Sequence, residues 1–531
     1  MKKFKKMMAL AIAMVMVLSM SISVFAANHE ISTTNTKHTY EIYQIFTGTV
    51  VDGQLTSLKY GQNTKGRTIG DPVSQGDVET LNGIADAGNT AALDQADIAA
   101  IIPFVDITGN PIAEVGKDKE ASASVPEGYY LIKDKDNSLS DPEQYTLYLI
   151  QVLDDDLAIT PKSSTTTSDK KIKDINDSTD TAVGDVQDSA DYDIGDDVPY
   201  VLTANLAANV SAYKKYHITF KDELEAGKLK NNKDYVVKIK YNDDTEATLT
   251  KGTDYTVANE TDDGFNLTLE WGTGTAVIGS DAKLDGAKVT VEFTAKLLEG
   301  ATIGQVGNIN TSTLEYSNNP NDADGGVVGE TPEDTVIVFT YKLIVDKTDD
   351  AGEPLTGATF SLYKKYKTAP TGGTACTETG YTDYYKVDTI AGTALSKFEF
   401  KGIDDGDYVL IEDVAPKNYN KLAPQAFTVT ATHTATADIN KDTHKATSGN
   451  YVLTSISGSA ADGAVITLAE HTTGEGDAAV KDGVDTTVIN KSGAVLPETG
   501  GIGTTIFYII GAILVIGAGV VLVTRRRMSA N

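Results

Sequence analysis

The chain has 531 residues, with 45 Lys+Arg against 75 Asp+Glu, a formal charge of −30 and 40% hydrophobic residues. A surface this negative repels phosphates instead of releasing their counterions, which argues against a nucleic-acid partner. A single cysteine, Cys376, excludes any intramolecular disulfide, Cys zinc site or iron–sulfur cluster. At roughly 100–200 residues per domain, the length predicts about three domains.

In chain order, Lys2, Lys3, Lys5 and Lys6 precede an apolar run from Met7 to Val24 and the small residues Ala26 and Ala27. Basic start, apolar middle and small-residue end read as a secretory signal peptide over residues 1–26, outside the fold. From 27 to 162 the chain alternates strand-like runs with Gly, Asn, Asp and Pro. Tyr40–Phe46 and Tyr145–Leu153 carry the alternating aromatic and β-branched pattern of strands. A helix is predicted over 81–102, where Ala, Leu, Asp and Gln dominate. Ser163–Ser168 is a polar linker.

A second block, 163–334, holds strands such as Tyr200–Ala204 and Ala287–Phe293, and Asn318–Glu333 closes it. A third, 335–493, opens with the apolar run Val336–Val345. Short strands at this density predict an all-β protein of β-sandwich domains. No nucleotide-binding glycine loop and no His pair at metal spacing occurs, so no cofactor and no metal is predicted. Asn321-Asp322-Ala323-Asp324 has calcium-type residues, but a solvated turn is the simpler reading. After the third block come Leu496-Pro497-Glu498-Thr499-Gly500, an apolar segment over 501–524 long enough to span a bilayer, and a basic tail over 525–531 that stays inside.

Three polar residues lie on apolar faces. Side chains alternate along a strand, so Lys347 shares a face with Tyr341, Leu343 and Val345; Glu412 shares one with Tyr408 and Leu410, and Asn490 with Val488. A buried Lys or Glu is costly unless paired, and a strand-end position open to water is the simple alternative. Together these segments resemble the CnaB-type domain, through Leu343–Asp349, Leu355–Tyr363, Tyr408–Pro416 and Val488–Asn490. The resemblance implies an immunoglobulin-like sandwich in which Lys347 and Asn490 join in a spontaneous isopeptide bond assisted by Glu412. An apolar site would hold the amine neutral and the carboxyl protonated, and folding would supply proximity.

The second block repeats the device. Lys170 shares a face with Ile172, and Phe220 with Asp222. The strand Asn310–Tyr316 resembles the closing strand of the middle isopeptide domain in pilus backbone subunits, which implies Lys170, Asp222 and Asn310 as its set, with Lys171, Glu223 and Asn308 as alternatives. In the first block Gly128–Asp134 echoes the acidic strand, but Lys133 stands where the acid would be, and no bond is expected there.

The C-terminal order resembles the LPxTG cell-wall sorting signal of Gram-positive surface proteins, which implies sortase cleavage between Thr499 and Gly500. Ile159-Thr160-Pro161-Lys162 resembles the pilin motif, with Thr160 in place of its usual Tyr and no Trp, and implies Lys162 as the amine that accepts the acyl group. The combined expectation is three tandem sandwiches forming the shaft subunit of a covalent pilus that supports adhesion: a sortase substrate and not an enzyme. Implied partners are a pilin-class sortase, identical subunits, minor tip and basal pilins, and peptidoglycan through a housekeeping sortase, with a membrane only for the precursor. The alternative is a monomeric wall-anchored adhesin binding a host protein or glycan.

Overall fold

A computed structural model describes residues 27–493 and 502–528, except 52–53, 80–99, 141, 147, 154, 160–163, 180, 183–185, 273–277, 279–281, 323 and 477–478. Before the C-terminal helix, strands supply nearly all the regular structure among the described residues, as the alternating pattern requires. The larger sheets fall into three successive groups.

In the first group the strand Thr39–Val51 pairs with Gln54–Tyr60, Ala113–Gly116 and Gly128–Asp134, and the last of these pairs with Leu149–Leu153. A second, smaller sheet holds Asn28–Thr33 between Ser122–Pro126 and Leu157–Ile159. Alternate residues of Thr39–Val51 enter two cores, Tyr40 and Ile42 in one, Tyr43 and Ile45 in the other. The expected strand from Tyr145 begins only at Leu149. Its earlier amides are taken elsewhere: Tyr145 N donates to Asn318 O (2.8 Å), Thr146 N to Asp134 Oδ2, and Tyr148 N to Asn321 Oδ1 (3.1 Å). This segment therefore docks onto the second group instead of extending a sheet. The helix expected over 81–102 lies almost wholly outside the described residues; 75–79 and 100–101 at its margins are helical.

The second group is a sandwich. One sheet runs Glu246–Leu249, Val236–Lys240, Lys288–Leu297, Asp197–Asn205, Thr167–Ile172; the facing sheet includes Asp334–Phe339, Asn308–Ser317, Tyr216–Leu224 and Gly264–Trp271. Along Lys288–Leu297 every second residue, from Val289 to Leu297, is buried. The third group packs a four-stranded sheet (Lys397–Ile403, Tyr341–Asp349, Val480–Asn490, Leu468–Thr473) on a five-stranded one centred on Thr359–Lys365, Gly406–Val414 and Gln425–His433. In the four-stranded sheet the first and last strands of the group, Tyr341–Asp349 and Val480–Asn490, lie side by side and parallel.

The apolar run over 336–345 is two strands that break at Thr340. The first, Asp334–Phe339, pairs with Asn308–Ser317 and Ser189–Asp191 and so belongs to the second group's sheet. Val336 and Val338 face that group's core, while Ile337 and Phe339 enter the core of the third. Burial on both faces is why the run is continuously apolar and not alternating.

The helix Ile502–Met528 closes the described chain. Its side chains from Phe507 to Val523 are exposed. At ~1.5 Å per residue it exceeds the ~30 Å hydrocarbon core of a bilayer, and its apolar stretch Phe507–Arg526 is long enough to cross one.

Candidate functional sites

In the third group Lys347, Glu412 and Asn490 are each about 1% exposed. Parallel pairing sets Lys347 opposite Val488 and Asp349 opposite Asn490, and Glu412 reaches across from the facing sheet. Lys347 Nζ donates to the carbonyl oxygens of Thr348 (2.9 Å) and Val488 (3.1 Å). Two donated bonds use both hydrogens of a neutral amine and leave its lone pair free, whereas an ammonium would keep a third hydrogen unsatisfied. Burial lowers the Lys347 pKa below the ordinary lysine value, with Glu412 and Asp349 opposing. Glu412 accepts from Asn490 Nδ2 (2.8 Å) through one oxygen and from Leu422 N (2.7 Å) through the other, while Asn490 Oδ1 has no hydrogen-bond partner.

The second group assembles its set differently. Lys170 stands on the edge strand of one sheet, and Asp222 and Asn310 lie on neighbouring strands of the other. All three are at most 2% exposed. Lys170 Nζ contacts Asp222 Oδ2 and sits over the rings of Tyr200 (5.4 Å) and Phe293 (5.6 Å). Burial pushes the Lys170 amine down and the Asp222 carboxyl up, each opposed by attraction to the other, so the apolar core favours the uncharged pair. The Asp222 carboxyl lies beside the Asn310 side chain, and beyond each other Asp222 Oδ1 and the Asn310 amide have no hydrogen-bond partner. Unsatisfied buried polar atoms cost about 1–3 kcal/mol each, so such a cluster in a sandwich core calls for a reason.

The alternatives occupy ordinary structural positions. Lys171 pairs with Asp169 and Asp188 at 2.7 Å each, Glu223 is exposed, and Asn308 satisfies its amide on Thr302 and Val338. Lys133, in the first group, is buried against Glu41 (2.8 Å) and Asp136 (3.0 Å), and these partners raise its pKa over the opposing effect of burial. The turn at Asn321–Asp324 is self-satisfied: Asp322 accepts from Asp324 N, Gly326 N and Val327 N at 2.9–3.0 Å. Residues 1–26, Lys162 and the segment Leu496, Pro497, Glu498, Thr499, Gly500 lie outside the described residues.

Two charged clusters between the second and third groups went unread in the sequence. Lys364, fully buried, donates to Asp177 and Asp193 at 2.8 Å each and to Asp404. Burial disfavours its charge, but these carboxylates, led by Asp193, raise its pKa, the opposite of Lys170 and Lys347. It is thus a cationic clasp. Its signal was available, since Lys364 shares a strand face with Phe360 and Leu362. The second cluster, Asp174, Asp191 and His433, has no such signal because its members come from three separate segments.

Residues 341–443 match a family model described as a prealbumin-like fold domain, SpaA, and residues 489–529 match the LPXTG cell wall anchor motif. With the sandwiches and the exposed apolar helix, these matches define a wall-anchored surface protein of the Gram-positive type. The chain is 26% identical over 313 residues to the trypsin-resistant surface T6 protein of Streptococcus pyogenes serotype M6, covering 51% of this chain and 53% of that protein. It therefore spans about half the length of the curated relative it matches. Among solved structures it is similar to the T6 backbone pilin of Streptococcus pyogenes (17% identity, 89% of this chain and all of that one, TM-score 0.46). It is also similar to the major pilin SpaD of Corynebacterium diphtheriae (18%, 75% and 88%, TM-score 0.42) and to BcpA, the major pilin subunit of Bacillus cereus (14%, 88% and 100%, TM-score 0.39).

Proposed function

We propose that this protein is the shaft subunit of a covalent, sortase-assembled pilus, stiffened by one Lys–Asn isopeptide bond in each of its second and third sandwiches. The observation that carries the reading is the pair of buried Lys–acid–Asn sets in consecutive sandwiches of a chain that ends in a wall-anchor motif. In each set the lysine amine attacks the asparagine Cγ, a C–N bond forms, and the amide nitrogen leaves as ammonia. Glu412, hydrogen-bonded to Asn490 Nδ2, is placed to move the proton from the attacking amine to the departing nitrogen. Asp222, in contact with Lys170, has the same role in the second group. Each bond forms once, so the chain does no turnover chemistry.

Polymerisation uses the two expected linkage points. A pilin-class sortase cleaves after Thr499 and passes the acyl group to Lys162 of the next copy; tip and basal pilins and peptidoglycan are the further partners. In chain order Lys162 falls between the strands Leu157–Ile159 and Thr167–Ile172, the last strand of the first group and the first of the second. Coexpression with the cognate sortase should give an SDS-resistant ladder that Lys162→Ala reduces to monomer. A ladder that survives the substitution removes Lys162 from the reading; no ladder from the unaltered chain leaves a monomeric adhesin.

A further inference from the structure

We propose that Asp174, Asp191 and His433 bind a divalent cation of the zinc class that ties the second sandwich to the third. Asp174 follows the strand Thr167–Ile172, Asp191 ends Ser189–Asp191, and His433 ends Gln425–His433 in the other unit. One ligand atom from each lies within 4.8 Å of the others, and His433 Nε2 is 3.4 Å from Asp174 Oδ2. Ligands at 2.0–2.2 Å from a tetrahedral ion stand about 3.4 Å apart, so this spacing fits with little movement.

The imidazole is already set for the role. Ser189 Oγ donates its one hydrogen to Thr434 O (2.7 Å), so in its 2.7 Å contact with His433 Nδ1 it must accept. Nδ1 therefore carries the hydrogen, and Nε2 is aimed at the carboxylates. A second hydrogen bond that fixes tautomer and ring orientation is the arrangement found behind metal-bound histidines. The carboxyl of Asp191, on a side chain 3% exposed, lies beside the fully buried hydroxyl of Tyr341, and beyond each other neither Asp191 Oδ2 nor that hydroxyl has a hydrogen-bond partner.

Charge points the same way. Asp174 and Asp191, with Asp405 behind them, face a single imidazole, and the cation of Lys364 is held by Asp177, Asp193 and Asp404. One imidazole with two carboxylates suits zinc, where calcium takes six to eight oxygens.

The test uses the full-length protein in detergent, stripped with chelator and titrated with ZnCl2 alone by calorimetry. One zinc per chain and an EDTA-reversible rise in melting temperature are expected. Asp191→Asn and His433→Gln should each weaken binding at least tenfold. Asp191→Asn replaces a ligand oxygen by an amide nitrogen without changing shape, so it keeps the test valid should His433→Gln fail to fold. His444→Gln and His471→Gln, which alter histidines outside the cluster, should leave binding unchanged. Failure of the unaltered chain to bind zinc, binding unaffected by Asp191→Asn, or loss of binding in His444→Gln or His471→Gln would overturn the proposal.

Discussion

At the scale of the residue, Lys133, Lys170, Lys347 and Lys364, the most deeply buried lysines among the described residues, separate into two kinds. Burial penalises each cation, and what differs is the number of carboxylates in reach. Lys364 pairs with three and Lys133 with two, so they stay charged; Lys170 contacts Asp222 alone and Lys347 donates only to backbone carbonyls, and their pKa values fall. The alternation of strand side chains carries this burial in the sequence for Lys347, Lys170 and Lys364 alike, but alternation reports only burial and not the partner, so it does not tell a charged lysine from a neutral one. Isopeptide bonds 170–310 and 347–490 would each close a loop of about 140 residues, worth about 5 kcal/mol by the chain-entropy argument, or roughly 10–20 °C in melting temperature. The intact mass of the sortase-processed chain should therefore fall short of its sequence mass by two ammonia molecules. Asn490→Ala and Asn310→Ala should each cut the deficit to one ammonia and lower the melting temperature of one transition. The full sequence mass in the unaltered chain would remove both bonds.

At the scale of the element, Asp334–Phe339 joins two cores. It is hydrogen-bonded into the second sandwich yet buries Ile337 and Phe339 in the third. The sequence showed the apolar run but could not show the break at Thr340, because a run buried on both faces has no period to interrupt. Phe339→Ala should cost about 3–5 kcal/mol, as for large core truncations. Because the residue is borne by one unit and buried in the other, calorimetry should show both transitions shift downward. A shift confined to a single transition would count against mechanical coupling through this strand.

At the scale of the whole molecule, the second and third sandwiches meet through acidic side chains. Burial, then Asp193 and Asp177, raise the Asp196 pKa from 3.8 to about 7, against the attraction of Lys364. A carboxyl with a raised native pKa binds more protons folded than unfolded, so its contribution is whole below the unfolded value and is lost as pH rises to about 7. The unaltered protein should therefore lose stability relative to Asp196→Asn between about pH 4 and 7 and run parallel to it above. Melting curves across that range check it; a constant difference would show that Asp196 titrates normally. The molecule is acidic throughout, −30 over the chain, and becomes −37 once the seven basic residues at its two ends are discounted.

The sequence by itself determined the all-β class, the anchor segment and the off-face Lys, Glu and Asn of the third sandwich. These depend on local periodicity or on contiguous motifs, which chain order records directly. Tertiary structure alone decided what depends on distance between segments. It set Lys170 across from Asp222 and Asn310 on the opposite sheet, turned the amides of Tyr145, Thr146 and Tyr148 away from their expected strand, and divided Val336–Val345 between two sheets. It also brought Asp174, Asp191 and His433 within ligand spacing from places about 240 residues apart in the chain, a relation that no period or motif encodes.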